Sequence, residues 1–232
     1  MHDPIGRAIK DYFEKGKAQD ITVDTNYTID EVIPPAWFFR NFNEMPEIEQ
    51  KALECCRGRI LDVGAGAGSH ALILQERKLD VTALEKSEAA TEVIKKRGVK
   101  KVIHSDLYNL KNEKFDTILA LMNGTGIAGT ISGLKKMLLH LKKLLAANGQ
   151  ILIDSSDIRY LFEEDDGSMW VDINSNRYYG EMEYEVSYKN ENSHFNWLFT
   201  DFETLQKISE EIGLRCLKIK NGAHFDFLAQ LS

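Results

Sequence analysis

The sequence predicts an α/β fold in which a mostly parallel sheet carries helices on both faces. From residue 59 to residue 157, short apolar runs alternate with helical stretches. Strands that are apolar throughout are typical of parallel sheets covered on both sides. After this region the pattern changes to period-two alternation, which predicts a small antiparallel insertion at about residues 165–200. With 232 residues, the chain is long enough for one large domain with such elaborations.

The first predicted element is an amphipathic helix, because apolar residues recur at helical spacing between Ile5 and Phe13. We assign residues 1–45 to an N-terminal helical segment that forms a lid. The rest of the chain, residues 46–232, is assigned to the main domain.

Five apolar runs follow as predicted strands, and they occupy residues 59–63 (RILDV), 80–85 (DVTALE), 101–106 (KVIHSD), 115–122 (FDTILALM) and 150–157 (QILIDSSD). A helix is predicted to follow the first strand. Ser87 can cap the helix after the second strand, and Gly98 can end it. An apolar stripe from Leu134 to Leu145 predicts another helix, which we expect to end at Asn148-Gly149.

The antiparallel insertion is predicted from three alternating stretches, MWVDI, RYYGEMEYEVSYK and HFNWLF, all within residues 168–199. Thr200 and Glu203 then match a capping box for a helix. At the end of the chain, Asn221-Gly222 predicts a hairpin. The parallel unit is therefore expected to end in two antiparallel strands.

Three glycines at alternate positions, Gly64, Gly66 and Gly68, follow the first predicted strand. Ligands of open α/β sheets bind outside the carboxyl ends of the strands, where this loop lies. A dinucleotide fingerprint has the spacing G-x-G-x-x-G and holds a pyrophosphate, whereas the spacing here is G-x-G-x-G. Moreover, Asp62 precedes the loop, and a carboxylate is a poor neighbour for a phosphate but a good one for an ammonium group.

Three acids at strand ends match a ligand that carries an ammonium group, a ribose diol and an adenine amine. Asp62 suits the ammonium, Glu85 the ribose hydroxyls and Asp106 the adenine amine. S-adenosylmethionine has all three groups, and its carboxylate suits the amides of the glycine loop.

At these residues the sequence resembles the class I S-adenosylmethionine-dependent methyltransferases. The resemblance covers roughly residues 46–232 and rests on ILDVGAGAG, ALEKS, HSDL, FDTILALMNGTGI and GQILIDSSD, in that order. It implies a Rossmann-like, seven-stranded, mostly parallel sheet with an antiparallel last strand. It also implies that S-adenosylmethionine is the methyl donor and S-adenosylhomocysteine the product.

The resemblance further implies a set of donor-binding residues. The loop and Asp62 bind the methionine part, Glu85 the ribose, Asp106 with Leu107 the adenine side, and Lys86 and Met122 flank the adenosine. The complete set is Asp62, Gly64, Ala65, Gly66, Gly68, Glu85, Lys86, Asp106, Leu107, Met122 and Asn123. Two alternatives stay open: Asp106 is also a helix-cap candidate, and Arg40 either meets the methionine carboxylate or lies on the surface.

The acceptor side is less defined by the sequence. Asn123 is the candidate for a contact with the acceptor, although Asn-Gly is equally typical of a turn. His70, His104 and His224 are candidates for a general base, which the reaction needs only if the acceptor must lose a proton. No catalytic base is assigned. The aromatic insertion is interpreted either as a lid over the acceptor or as a packing or dimer surface.

Charge and composition limit the partners. The net charge of −7 gives no basic surface for nucleic acid, so we expect a small-molecule acceptor that is methylated on nitrogen or oxygen. No run is apolar enough to span a membrane, and the three cysteines match neither a disulfide framework nor a metal site. We therefore expect a cytoplasmic monomer or homodimer without a metal. Two alternative functions are a non-catalytic S-adenosylmethionine-binding protein and an NAD-dependent oxidoreductase.

Overall fold

A computed structural model describes residues 2–163 and 177–232 of the chain. In chain order its strands are β1 (Ile21–Thr25), β2 (Glu31–Ile33), β3 (Arg59–Val63), β4 (Asp80–Glu85), β5 (Val102–His104), β6 (Phe115–Ala120), β7 (Leu145–Ser156), β8 (Glu181–Tyr188), β9 (Glu191–Leu198), β10 (Cys216–Asn221) and β11 (Asp226–Leu231). The helices are α1 (Pro4–Lys15), α2 (Glu47–Cys55), α3 (Ser69–Glu76), α4 (Glu88–Lys96), α5 (Ile131–Leu144) and α6 (Phe202–Glu211).

Seven strands form the main sheet, in the order β10-β11-β7-β6-β3-β4-β5. The pairs among β3, β4, β5, β6 and β7 are parallel, whereas β11 is antiparallel to both of its neighbours. The last strand is therefore the reversed one. This topology confirms the predicted sheet and its terminal hairpin.

Helices cover both faces of the main sheet, as the apolar strands predict. On one face, α5 and α6 pack on a cluster that includes Leu138, Ile118 and Phe227. On the other face, residues of α2, α3 and α4 pack with Ile60 and Leu119. Because both faces are buried, the polar groups that can reach a ligand lie at the ends of the strands.

Two predicted helix boundaries are wrong. The helix α5 ends at Leu144, and Asn148-Gly149 lies inside β7. Asn148 adopts a positive φ of 61° where the pairing of β7 with β6 shifts register, so this turn signal marks an irregularity of the strand rather than the end of a helix.

The predicted capping box of α6 is also wrong. The N-cap is Asp201, whose side chain accepts a hydrogen bond from the Thr204 amide at 2.8 Å. The Thr200 amide instead donates to Ser155 Oγ at 2.8 Å. Since Asp is a strong N-cap and Thr200 is buried against β7, the helix begins one residue later than expected.

A second sheet joins the N-terminal segment to the insertion, in the order β2-β1-β8-β9. The predicted antiparallel strands in RYYGEMEYEVSYK and HFNWLF are confirmed as β8 and β9, while MWVDI lies outside the described residues. The strands β1 and β2 are absent from the sequence prediction. Thr22 pairs with Ser187, so β1 finds its partner late in the chain.

The predicted N-terminal helix is confirmed as α1, and it packs on α4. Asp3 caps α1 and accepts a hydrogen bond from Ser87 Oγ at 2.5 Å, so the two helix starts are linked. Lys10 forms an ion pair with Glu92 at 2.6 Å. No helix in residues 2–163 or 177–232 is long and apolar enough to span a membrane.

Candidate active site

The carboxyl ends of the parallel strands bring the predicted site residues to one edge of the main sheet. The glycine loop follows β3, Glu85 ends β4, and Asp106 lies two residues beyond β5. Met122 and Asn123 follow β6. This is the edge at which open α/β sheets bind their ligands.

The glycine loop has a backbone that only glycine adopts without strain. Gly64, Gly66 and Gly68 have positive φ angles of 69°, 57° and 82°. A Cβ on Gly68 would also lie 3.2 Å from a methyl group of Ile94, because the loop packs on α4. Gly64 is exposed at the rim. At Gly64 the loop therefore offers a ligand backbone without a side chain.

Glu85 ties the glycine loop to the turn that follows β4. Its two carboxylate oxygens accept hydrogen bonds from the Gly66 amide at 2.9 Å and the Ser87 amide at 2.8 Å. Burial raises the pKa of Glu85, and these backbone hydrogen bonds oppose the rise. Each carboxylate oxygen accepts more than one hydrogen bond, so Glu85 keeps capacity for hydroxyl donors.

Asp62 is buried beneath the glycine loop, and one of its oxygens lacks a partner. Oδ2 makes no hydrogen bond, while the backbone amide of Ala71 hydrogen-bonds the carboxylate. Burial raises the pKa of Asp62, and the neighbouring His70 charge opposes that rise. A buried acceptor without a donor is costly, so this oxygen fits a site that is completed by a cationic or hydrogen-bonding ligand.

A chain of charged side chains leads from the N-terminal segment to Asp62. Arg40 Nη2 donates to Glu49 Oε1 at 2.7 Å, and His70 Nε2 donates to Glu49 Oε2 at 2.8 Å. On its other side, His70 Nδ1 lies 4.0 Å from Asp62 Oδ1. Burial opposes the charge on His70, but the hydrogen bond to Glu49 and the Asp62 charge together raise its pKa. We call Arg40, Glu49, His70 and Asp62 the buried charge chain.

The remaining donor-site candidates line the rim. Lys86 and Asp106 are exposed, whereas Ala65 and Leu107 are buried. Asp106 accepts a hydrogen bond from the Tyr108 amide at 2.8 Å and so caps a short 3-10 turn. One oxygen of this exposed carboxylate stays open to solvent, so the cap does not remove it as a ligand contact.

The loop after β6 is strained and is held by a buried acid. Met122 and Asn123 have positive φ angles of 63° and 60°, which non-glycine residues rarely adopt. Asp154, at the carboxyl end of β7, accepts hydrogen bonds from the amides of Asn123 at 3.1 Å and Gly124 at 2.8 Å. Burial raises the pKa of Asp154 to about 6.

The Asn123 side chain points into the same network. Its amide group donates to the Leu198 carbonyl at 3.2 Å, and its Oδ1 accepts from Ser155 Oγ at 3.1 Å. Asn123 therefore links the loop after β6 to the end of β9. The contact of Asn123 with an acceptor stays a prediction.

The three histidines weighed as bases lie in different environments. His70 is buried in the charge chain. His104 is exposed and donates to the Lys86 carbonyl at 3.1 Å. His224 lies in the turn before β11, where its amide donates to Asp226 at 2.8 Å.

Sequence reasoning missed three residues at this edge. Glu49 reaches the site only through the packing of α2 against α3. Phe38 covers the loop, since a Cβ on Gly66 would lie 3.3 Å from its ring, and the Phe38 carbonyl accepts a hydrogen bond from Ser69 at 2.7 Å. Asp154 had a usable signal, because it follows the apolar run ILI just as Asp62 follows IL.

Comparisons with known proteins agree with this geometry. A family model described as a methyltransferase domain matches residues 60–149. An S-adenosylmethionine-dependent methyltransferase from Bacteroides fragilis, solved with S-adenosylhomocysteine, is 41% identical with a TM-score of 0.92. That match covers 100% of this chain and 94% of the other. The comparison with curated proteins gives no match.

More distant structures share the fold alone. The sugar N-methyltransferase KedS8 from Streptoalloteichus is 15% identical, with a TM-score of 0.55 and coverage of 84% of this chain and 87% of that one. The methyltransferase CcbJ from Streptomyces caelestis is 10% identical, with a TM-score of 0.61 and coverage of 83% and 98%.

The predicted donor and fold are thereby confirmed, and the oxidoreductase and non-catalytic alternatives are set aside. The chain belongs to the class I S-adenosylmethionine-dependent methyltransferases, enzymes that use S-adenosylmethionine as methyl donor.

Proposed function

We propose that this methyltransferase transfers a methyl group to a nitrogen or oxygen of a small molecule, with the donor held along the glycine loop. Asp62 binds the donor's ammonium, Glu85 the ribose hydroxyls, and Asp106 with Leu107 the adenine side. The observation that carries this assignment is the unpartnered, buried Oδ2 of Asp62, two residues before the exposed Gly64 of the glycine loop. A bound ammonium group satisfies that oxygen.

The other residues proposed to bind the donor lie at the same edge of the main sheet. The methionine part is proposed to lie at the exposed Gly64 end of the loop, since the amides of Gly64, Ala65, Gly66 and Gly68 already donate within the fold, and Lys86 and Met122 flank the adenosine. Arg40 lies in the N-terminal segment, and its side chain is only 17% exposed. Its Nη2 donates to Glu49 and its Nε to the Trp37 carbonyl at 3.0 Å, which leaves the Nη1 hydrogens as donors for the methionine carboxylate.

The acceptor side is proposed to lie between the loop after β6 and the second sheet. Trp197 of β9 packs on Gly126 so closely that an added Cβ would lie 2.0 Å from its ring. Tyr184 and Phe195 stack beside it, with ring centroids 5.8 Å apart. An aromatic cover of this kind limits the size of the acceptor, which supports a small molecule.

The second sheet and the N-terminal segment are proposed to form one lid. They are hydrogen-bonded to each other through β1 and β8, and Phe38 extends the cover to the glycine loop. The methyl group on the sulfonium transfers by in-line displacement, for which positioning supplies most of the catalysis. This chain's contribution is therefore to orient both substrates and exclude water.

The donor assignment is tested by calorimetry with S-adenosylmethionine, S-adenosylhomocysteine and NAD. We expect the two sulfur compounds to bind and NAD not to bind. Tighter binding of NAD than of either sulfur compound would overturn the proposed donor site.

The acceptor is sought by incubating the protein with a methyl-labelled donor and pooled metabolite fractions. Formation of S-adenosylhomocysteine together with one labelled small product is the expected result. Mass spectrometry of that product then shows whether nitrogen or oxygen carries the label. A product methylated on carbon or sulfur would contradict the proposed acceptor chemistry.

A further inference from the structure

The buried charge chain contains two residues, Glu49 and His70, that the binding of the donor does not itself require. Both are buried. They nevertheless connect two parts of the site, because Arg40 belongs to the N-terminal segment and Asp62 lies under the glycine loop. A buried ionised group is costly unless it is paired. The four residues of the buried charge chain are therefore expected to serve a function in the site.

The residues of the buried charge chain alternate in charge, and the acid at one end has an oxygen without a partner. Arg40 and Glu49 form an ion pair at 2.7 Å, and Glu49 accepts from His70 at 2.8 Å. His70 Nδ1 is then left facing Asp62 Oδ1 at 4.0 Å, within ion-pair distance but beyond a hydrogen bond. At the far end, Asp62 Oδ2 has no partner. The order of charges runs positive, negative, positive, negative, and it ends at an open acceptor.

We propose that Glu49 and His70 are positioning residues that keep Asp62 ionised and oriented for the ammonium group of the methyl donor. This inference rests on the proposed role of Asp62 in the donor site. Glu49 fixes the imidazole by accepting from Nε2, and the imidazolium then presents Nδ1–H toward Asp62. Without that cation, Asp62 is a buried carboxyl with one backbone donor, an environment that favours its protonated form, and binding of the ammonium then displaces the proton.

Other titratable groups also face this pair. Arg40 and Glu49 face it from the N-terminal side, the Cys56 thiol follows α2, and Asp154 lies at the end of β7. Of these groups, only Glu49 contacts the imidazole directly in residues 2–163 and 177–232. The charge that acts on Asp62 is that of His70, whose Nδ1 lies 4.0 Å from Oδ1.

The test compares two ligands by calorimetry at pH 7. One is S-adenosylhomocysteine, and the other is its analogue in which hydrogen replaces the α-ammonium group. The parent protein is expected to prefer the first. His70→Asn and Glu49→Gln are each expected to reduce that preference by at least about tenfold, because a charge-assisted contact is lost, while affinity for the analogue stays near the parent value.

A second readout separates positioning from general damage. Titrations in two buffers of different ionisation enthalpy measure the protons released on binding. The parent is expected to release few protons, whereas His70→Asn is expected to release close to one, since Asp62 must then lose its proton to receive the ammonium. His194→Asn and Glu54→Gln are matched controls, because both side chains are more than half exposed and neither belongs to the buried charge chain.

Two outcomes overturn the inference, and they differ in what else they affect. If the folded His70→Asn and Glu49→Gln variants keep the parent's preference for S-adenosylhomocysteine and release as few protons on binding, Glu49 and His70 do not position Asp62. The proposed donor site then stands. If the parent itself does not prefer S-adenosylhomocysteine over the analogue, Asp62 does not receive the ammonium, and its proposed role fails together with the inference. Should one variant not fold, the other gives the same comparison.

Discussion

Three acids at strand ends, Asp62, Glu85 and Asp154, are buried at one edge of the sheet and differ in their partners. Glu85 and Asp154 each accept two backbone hydrogen bonds. Asp62 has a single backbone donor and an oxygen without a partner. Burial disfavours the ionised form of each carboxyl group. All three acids are therefore costly to ionise, and Asp62 is the one whose carboxylate is left with an oxygen that no protein group satisfies.

At Glu85, the prediction concerns donor affinity. Glu85→Gln is expected to raise the dissociation constant for S-adenosylhomocysteine by about tenfold to a hundredfold, because charge-assisted hydrogen bonds to the ribose are lost. Calorimetry measures the effect, and circular dichroism checks the fold. Glu88→Gln, an exposed neighbour on α4, is the matched control. An unchanged constant in folded Glu85→Gln would remove Glu85 from the ribose site.

At Asp154, the prediction concerns pH and stability. Because its pKa rises from 3.8 to about 6 on folding, the folded state binds the proton more tightly than the unfolded state. The resulting penalty is absent below about pH 4 and fully present above about pH 6, where it amounts to about 3 kcal/mol. This residue is buried, so solvent screening is small.

Urea unfolding of the parent and of Asp154→Asn between pH 4 and pH 7 measures this penalty. We expect the free energy of unfolding of the variant, relative to the parent, to increase by about 3 kcal/mol as the pH rises. A constant offset from the altered hydrogen bonds does not affect that slope. Asp80→Asn, at the exposed start of β4, is the control. Parallel pH curves for the parent and Asp154→Asn would show that Asp154 has an ordinary pKa.

At the scale of elements, the second sheet joins the N-terminal segment to the insertion, although the two are far apart in the sequence. Val23 of β1 and Val186 of β8 are paired and buried on the face that packs toward α1. The opposite face carries Glu185 and His194, which are polar. The aromatic residue Trp197 lies on the packed face and reaches the loop after β6. The sheet thus connects α1 to the loop after β6.

The prediction for this element uses one contact between the sheet and the loop. Trp197→Ala is expected to leave the affinity for S-adenosylhomocysteine within about threefold of the parent, since each proposed donor contact lies at or before Asn123. Methyl transfer is expected to fall by at least about tenfold, because the acceptor loses its aromatic cover. Calorimetry and a turnover assay provide the two measurements.

His194→Ala, on the outer face of the same strand, is the control for this variant, and its turnover is expected to match that of the parent. Because removal of a large aromatic side chain costs about 3–5 kcal/mol, thermal unfolding of Trp197→Ala must first show a folded protein at the assay temperature. Parent-like turnover by folded Trp197→Ala would contradict the lid.

The elements that the sequence predicted well are those whose signals are local. The strand β3, the glycine loop and Glu85 at the end of β4 all follow from neighbouring residues, and their periodicity and φ requirements appear in the sequence itself. The strand β1 does not, because its period-two run has only five residues and its partner β8 is far along the chain. The contact of Glu49 with His70 likewise depends on how α2 packs against α3, which no local pattern encodes.

At the scale of the whole molecule, the net charge of the protein favours a small-molecule acceptor over nucleic acid. The net charge of −7 repels a polyanion, and a protein that binds nucleic acid through many phosphate contacts loses affinity steeply as salt rises. For the proposed small acceptor beneath Trp197, we expect no such dependence. The salt response of turnover therefore reports on the class of acceptor.

We predict that the turnover of a cell-extract acceptor changes by less than about threefold between 50 and 300 mM salt, whereas phosphate-dominated binding would weaken by orders of magnitude over this range. Prior digestion of the extract with nucleases is expected to leave the labelled product unchanged, while passage through a membrane that retains macromolecules is expected to keep the acceptor in the filtrate. A labelled product that consists of RNA or DNA, and that nuclease treatment removes, would contradict a small-molecule acceptor. Binding of such a product would require a basic surface, which the net charge of this protein gives no reason to expect.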